Sequence, residues 1–165
     1  MEQKQFRGPA TFPGSREGWL KASLAWLGVI AFSSTALAGR WAEDTFDSIA
    51  SALSVVFPLR QAGLYHIFAF GAEKSVHVTM FFVLALLLWN AVPERFRHPL
   101  VITLAGTLIG IGSELLQAFF PGRDPTIRDV LINGATTAVG ACLASYFYRR
   151  QSLNRVSITA ELKRS

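Results

Sequence analysis

Charge is scarce in this chain. Asp, Glu, Lys and Arg make up 16% of its 165 residues, where about 25% is usual in soluble domains. Hydrophobic residues fill 51% and the mean hydropathy is +0.34, which points to a membrane protein rather than a soluble one. Cysteine is nearly absent. Cys142 is alone, so no intramolecular disulfide forms, and its Gly, Ala and Leu neighbours read it as a small buried side chain. No HExxH or comparable spacing is present, so neither a metal nor a cofactor is expected. Internal repeats and low-complexity tracts are also missing.

The formal net charge of +5 is not gathered in the single basic stripe that nucleic acid requires. Lys and Arg sit instead in short clusters beside apolar runs. Four such runs, near 19–39, 76–92, 100–120 and 130–148, are long enough to cross about 30 Å of hydrocarbon as helices. Lys4, Arg7, Arg16 and Lys21 lie before or at the start of the first; Arg95 and Arg97 lie in the turn "PERFRHP"; Arg149, Arg150, Arg155, Lys163 and Arg164 follow the last. With four spans these clusters share one side. The positive-inside rule makes that side cytoplasmic, together with both termini.

The expected fold is therefore an all-α, multi-pass protein of the cytoplasmic (inner) membrane with four transmembrane helices. Residues 1–18 form an N-terminal cytoplasmic tail, 19–148 the membrane domain and 149–165 a basic cytoplasmic tail. Between Arg40 and Lys74, "FDSIASALSVVF" and "AGLYHIFAFG" are too short to span and read as interfacial or re-entrant helices on the outer surface. "ALA" at 36–38 resembles a signal-peptidase site, but the run before it exceeds the usual ~7–15 apolar residues, so an uncleaved helix is expected. Gly106 and Gly110 in the third run, and Gly134, Ala138, Gly140 and Ala144 in the fourth, provide small faces on which these two helices pack.

Polar residues gather in three places. "EKSVH" opens the second span with Glu73, Lys74 and His77 on one face. "SELLQ" sets Glu114 and Gln117 near the outer end of the third. "TIRDVLIN" opens the fourth with Asp129 and Asn133 four apart, and Thr126 is placed to cap its first turn. In the four-span arrangement all three groups lie at one depth. An ionisable side chain there costs roughly 2.5–3.5 kcal/mol, so these groups must meet each other, water or a ligand. The simplest network pairs Glu114 with Lys74, Arg123 or Arg128, with His77 and Asn133 beside them.

As a site, this is an outward-facing pocket. Lys74, Arg123 and Arg128 would hold a phosphate or carboxylate, helped by helix N-termini near 74 and 127. Glu114 and Asp129 would orient them, and His77 or Glu114 is the candidate general base. As a purely structural device, the same network would only pin helices together. His66 and His98 fall outside it and read as interfacial or loop residues.

Three blocks carry a resemblance: "EKSVHV" (73–78), "GSELLQAFFPGR" (112–123) and "TIRDVLINGATTAVG" (126–140). In order and content they resemble the VanZ-like family of bacterial membrane proteins, over about residues 20–148. Glu73 and Val78 stand where that family usually has Asp and an aromatic residue. Lys74, His77, Glu114, Gln117, Pro121, Arg123, Asp129 and Asn133 match its pattern. The family is named for a protein associated with teicoplanin resistance. The resemblance implies a role near the lipid-linked precursors or surface of the cell envelope, without implying resistance for this chain. The expected partners are membrane lipids and a lipid-linked envelope precursor, with no nucleic acid. Three functions follow: a protein that binds such an anionic group, an enzyme that hydrolyses or transfers a phosphoryl or glycan group on it, or an accessory scaffold.

Overall fold

The computed structural model describes residues 14–53, 64–121 and 125–162. These form five α-helices, α1 (Arg16–Ser33), α2 (Ala36–Leu53), α3 (Leu64–Ala91), α4 (Pro99–Gln117) and α5 (Ile127–Leu162), with a 3₁₀ turn at Glu94–Phe96 between α3 and α4. Among the described residues there is no strand. Among the described residues, three segments are long and apolar enough to cross a membrane: Lys74–Ala91, Pro99–Gln117 and Ile127–Leu153.

α4 is built inside out. Leu104, Leu108, Ile111 and Leu115 lie on one exposed stripe, whereas the buried stripe carries Ile102, Gly106, Gly110, Ser113, Glu114 and Gln117. A helix in water hides its large apolar residues and shows its polar ones. Here lipid is the solvent, and small and polar residues mediate helix contact.

α5 packs against both α3 and α4, and α1 packs against α3. Lys74 meets Asp129, and Ala85 faces Gly140 the same number of residues further along each helix, the register of parallel helices. α4 runs antiparallel to α5, since Gly106 faces Thr137 and Gly110 faces Asn133. α1 is antiparallel to α3: Arg16 Nε donates to the Ala91 carbonyl (3.1 Å) and Trp26 Nε1 to the Met80 carbonyl (2.9 Å). Ile30, Phe81 and Leu84 form the core between them. Ala85, Trp89, Ile102, Ala141 and Ala144 form a second core among α3, α4 and α5.

The expected packing of the third and fourth apolar runs holds through glycine. A Cβ at Gly106 would overlap the Thr137 side chain, one at Gly134 would lie 2.8 Å from Thr107 Oγ1, and one at Gly110 would lie 3.1 Å from Asn133 Cβ. Gly140 belongs elsewhere, because its close neighbours are Ala85 and Phe82 of α3.

Several boundaries differ from the sequence expectation. The first apolar run is not one helix to Gly39 but breaks at Ser34 and Thr35. Ser33 and Ser34 hydroxyls donate to the Ile30 carbonyl (2.7 and 3.1 Å), and Thr35 donates to that of Phe32 (2.8 Å). Three consecutive hydroxyls thereby compete with the helical ladder. "ALA" at 36–38 lies inside α2. "EKSVH" does not open a helix either, since α3 starts at Leu64 and runs through it. Gly71 is the lone breaker in that stretch, and one glycine costs only about 1 kcal/mol. α5 continues past the apolar run to Leu162, because Arg, Gln and Leu there are good helix formers. Cys142 is exposed rather than buried, as Ala141 and Ala144 take the inward positions.

Candidate functional site

The site is assembled where α3 passes the end of α4 and the start of α5. His98 starts α4 at the opposite end, with its Nδ1 accepting from the Leu100 amide at 3.3 Å and Pro99 in the first turn. α4 then runs to Gln117, delivering Ser113, Glu114 and Gln117 to the inner face. Thr126 starts α5 as expected, its hydroxyl accepting from the Asp129 amide at 3.1 Å. Asp129 and Asn133 then follow on one inward stripe.

Lys74 Nζ lies 2.7 Å from Asp129 Oδ1, and both side chains are buried. Glu114 Oε2 accepts from the Thr126 backbone N–H at 3.0 Å, tying the end of α4 directly to the cap of α5. The sequence points to basic side chains as partners of Glu114 and does not mark this second link. Acidic and hydroxyl residues signal side-chain partners, but nothing in sequence marks an amide twelve positions away. Thr126, which Glu114 holds, also caps the turn that carries Asp129, and Asp129 holds Lys74, so α3, α4 and α5 meet at this point.

A second layer lies one turn deeper. Asn133 is completely buried, Thr137 below it donates to the Asn133 carbonyl at 2.7 Å, and Ser113 donates to the Gly110 carbonyl at 3.0 Å. The Asn133 side chain lies against Gly110, with Phe81 of α3 nearby. Glu114 Oε1 and both polar atoms of the Asn133 side chain are buried without a hydrogen-bond partner. Orphaned polar atoms are uncommon in folded proteins, and a water, an ion or a ligand is their usual partner.

The remaining sequence candidates are placed differently. Gln117 is buried beside this layer, and His77 is half-buried on α3. Arg128 is exposed on the first turn of α5, at the edge of the cluster rather than within it. Arg123 lies outside the described residues, as does the Glu73 side chain. With no helix start at residue 74, that anion-binding N-terminus is lost. At the start of α5 the Asp129 amide is already taken by Thr126. Among the described residues, no group of three or more His, Cys, Asp or Glu is arranged to hold a metal.

The VanZ/LLP1 family model matches residues 19–148. The chain belongs to the VanZ/LLP1 family. The match contains α3, α4 and every member of the buried cluster. With its three membrane-length apolar helices, this VanZ/LLP1 protein is a membrane protein in contact with lipid. No curated protein and no solved structure matches the chain.

Proposed function

We propose that this VanZ/LLP1 protein binds an anionic, lipid-linked or surface-polymer group of the bacterial cell envelope at the outer end of a four-helix membrane domain. The observation that carries this reading is the group of buried, unpartnered polar atoms at Glu114 and Asn133, beside the Lys74–Asp129 pair. A device that only pinned helices together would satisfy its own polar atoms. These atoms leave acceptor and donor capacity for something else.

α1 supplies the fourth span. Its antiparallel contact with α3 from Arg16 to Trp26, and its exposed Leu20, Leu24, Val29 and Phe32, support a membrane position despite Arg16, Glu17 and Lys21 near its start. α2, with Arg40, Asp44 and Asp47 exposed, lies at the outer interface. Both termini and the Glu94–Phe96 turn are then cytoplasmic, following the basic residues. Arg128, exposed on the first turn of α5, serves as a cation for a phosphate, with Arg123 as the second that the sequence offers, and Lys74 is held by Asp129.

A photoactivatable polyprenyl-phosphate glycan in nanodiscs tests the reading. Wild type is expected to label saturably. Arg123→Ala should weaken labelling about tenfold or more, the effect of losing a charge-assisted hydrogen bond. Equal labelling of the two proteins overturns it. A second reading is favoured by His77, half-buried on α3 one turn after Lys74: an enzyme that hydrolyses or transfers a phosphoryl or glycan group, with His77 or Glu114 as base. It requires turnover of the same lipid, abolished by His77→Ala in a protein that still folds.

A further inference from the structure

The opposite end of α4 from Glu114 carries a second group of charges, where the turn between α3 and α4 meets the start of α1 and the middle of α5. Arg16 reaches it from α1, its Nε on the Ala91 carbonyl at 3.1 Å. α4 and α5 keep one antiparallel register, Gly106 against Thr137 and Gly110 against Asn133. Carried back to the turn, that register brings Arg97 to Tyr148, with the guanidinium 5.8 Å from the ring centroid. Arg149 and Arg150 follow at the surface, and Arg95 is exposed on the turn, stacked on Phe96 at 4.8 Å.

Arg97 differs from the arginines around it. Its side chain is only 8% exposed, and Nε and Nη1 are buried without a hydrogen-bond partner. Arginine does not shed its charge, so a guanidinium buried this far demands an anion. The acid beside it is Glu94, whose Oε1 lies 3.8 Å from Nη1, beyond hydrogen-bond distance. The Glu94 side chain is itself 64% exposed. It can turn into water and open Nη1 to an anion arriving from the surface. Position decides which anion. The turn joins Lys74–Ala91 to Pro99–Gln117, two segments of membrane length, so it lies at a membrane surface. Phe96 on the turn, Leu100 and Val101 on α4 and Phe147 on α5 are all exposed. Cations and an aromatic ring above apolar faces match a headgroup above acyl chains.

We infer that Arg97 is the buried anchor of a site for the phosphate of an anionic phospholipid, a site separate from the binding function proposed at the other end. A headgroup oxygen accepts from Nη1 in the place that Glu94 leaves, a charge-assisted bond. Arg95, Arg149 and Arg150 draw the headgroup in, and the acyl chains lie along Leu100 and Phe147.

The test melts the full chain in dodecyl maltoside with phosphatidylglycerol, with phosphatidylcholine of the same acyl chains, or with glycerol phosphate. Binding to the folded state raises the melting temperature, and its dependence on lipid concentration gives each affinity. Wild type is expected to bind phosphatidylglycerol about tenfold or more tightly than phosphatidylcholine. That preference should persist when salt is raised from about 0.1 M to about 1 M, because buried pairs are screened little. Arg97→Gln should bring the ratio to about one. Glu94→Gln, a change at an exposed side chain, should tighten phosphatidylglycerol binding roughly two- to fivefold by removing the competing ion pair. Equal affinities in wild type, a preference that survives Arg97→Gln, or a Glu94→Gln variant that binds no tighter overturns the inference. A preference lost in high salt reduces the site to diffuse attraction by surface arginines and overturns it too. If Arg97→Gln does not fold, the Glu94→Gln result decides. Glycerol phosphate stabilising as well as phosphatidylglycerol would show a free-phosphate site and overturn the lipid assignment. All of these outcomes leave the function proposed near Glu114 standing.

Discussion

Lys74 and Asp129 form an ion pair across two parallel helices, Nζ to Oδ1 at 2.7 Å, with side chains only 11% and 6% exposed. Parallel helices need a long connection, and here the whole of α4 lies between them. The pair fixes how far α5 slides along α3. Removing one partner leaves a buried charge uncompensated, which costs about 3–5 kcal/mol. Lys74→Met should therefore lower the melting temperature in detergent sharply, and Lys74→Met with Asp129→Leu should recover most of the loss. If the double variant is also the one that loses ligand labelling while melting normally, the pair serves the site as well as the fold. A single variant that melts like wild type rules out a buried, unrelieved pair.

Thr126 joins the other two elements of the site, since its hydroxyl caps α5 and its N–H is taken by Glu114. Loss of an N-cap hydroxyl costs about 0.5–2 kcal/mol. Thr126→Ala should lower stability by that amount, and Thr126→Ser should restore it. Glu114→Ala should speed cleavage by added protease between α4 and α5, because the tether from Glu114 to Thr126 is gone. Equal cleavage rates for wild type and Glu114→Ala would show that the turn is held by something else.

Gly106 and Gly112 lie on the same helix with opposite surroundings. A Cβ at Gly106 would overlap Thr137, whereas one at Gly112 would meet nothing within 4 Å. Overpacking typically costs about 1–3 kcal/mol, so Gly106→Ala should destabilise by that order. Gly112→Ala should be neutral or slightly stabilising through helix propensity. Thr137→Ala should partly rescue Gly106→Ala, as it removes two of the three nearest atoms. Equal melting temperatures for the two glycine variants would contradict the close approach of α4 and α5.

Much of this was legible in the sequence because lipid imposes a simple code. Apolar length marks helices 3 to 5, small residues mark where α4 and α5 touch, and scarce charges mark the buried cluster. Chain breaks were harder to read. Ser33, Ser34 and Thr35 look like ordinary small polar residues, yet three adjacent hydroxyls turning back on the ladder divide the first run. Likewise Gly71 resembles a boundary but is too weak a breaker, so α3 extends well before Lys74. Gly140 fell on the right helix and the wrong partner, because periodicity gives a face without saying which neighbour covers it. The Glu114 link to Thr126 was invisible, since every residue has a backbone N–H.

The basic residues and the apolar helices make separate demands on topology, and cysteine labelling can test both together. α1 runs antiparallel to α3 and brings Arg16 beside the end of α3, close in sequence to Arg95 and Arg97. The proposed topology puts these cations on one membrane face, for which the positive-inside rule predicts the cytoplasm. On the proposed topology Ser48 on α2 and position 124 before α5 are outside, while Phe96 in the 3₁₀ turn is inside. In a Cys142→Ser background, a membrane-impermeant maleimide applied to intact cells should label Ser48→Cys and Asp124→Cys, and should label Phe96→Cys only after lysis. Labelling of Phe96→Cys alone would invert the protein and turn the Glu114 and Asn133 layer toward the cytoplasm. Labelling of Phe96→Cys and Asp124→Cys together would contradict α4 as a span, because only α4 separates them.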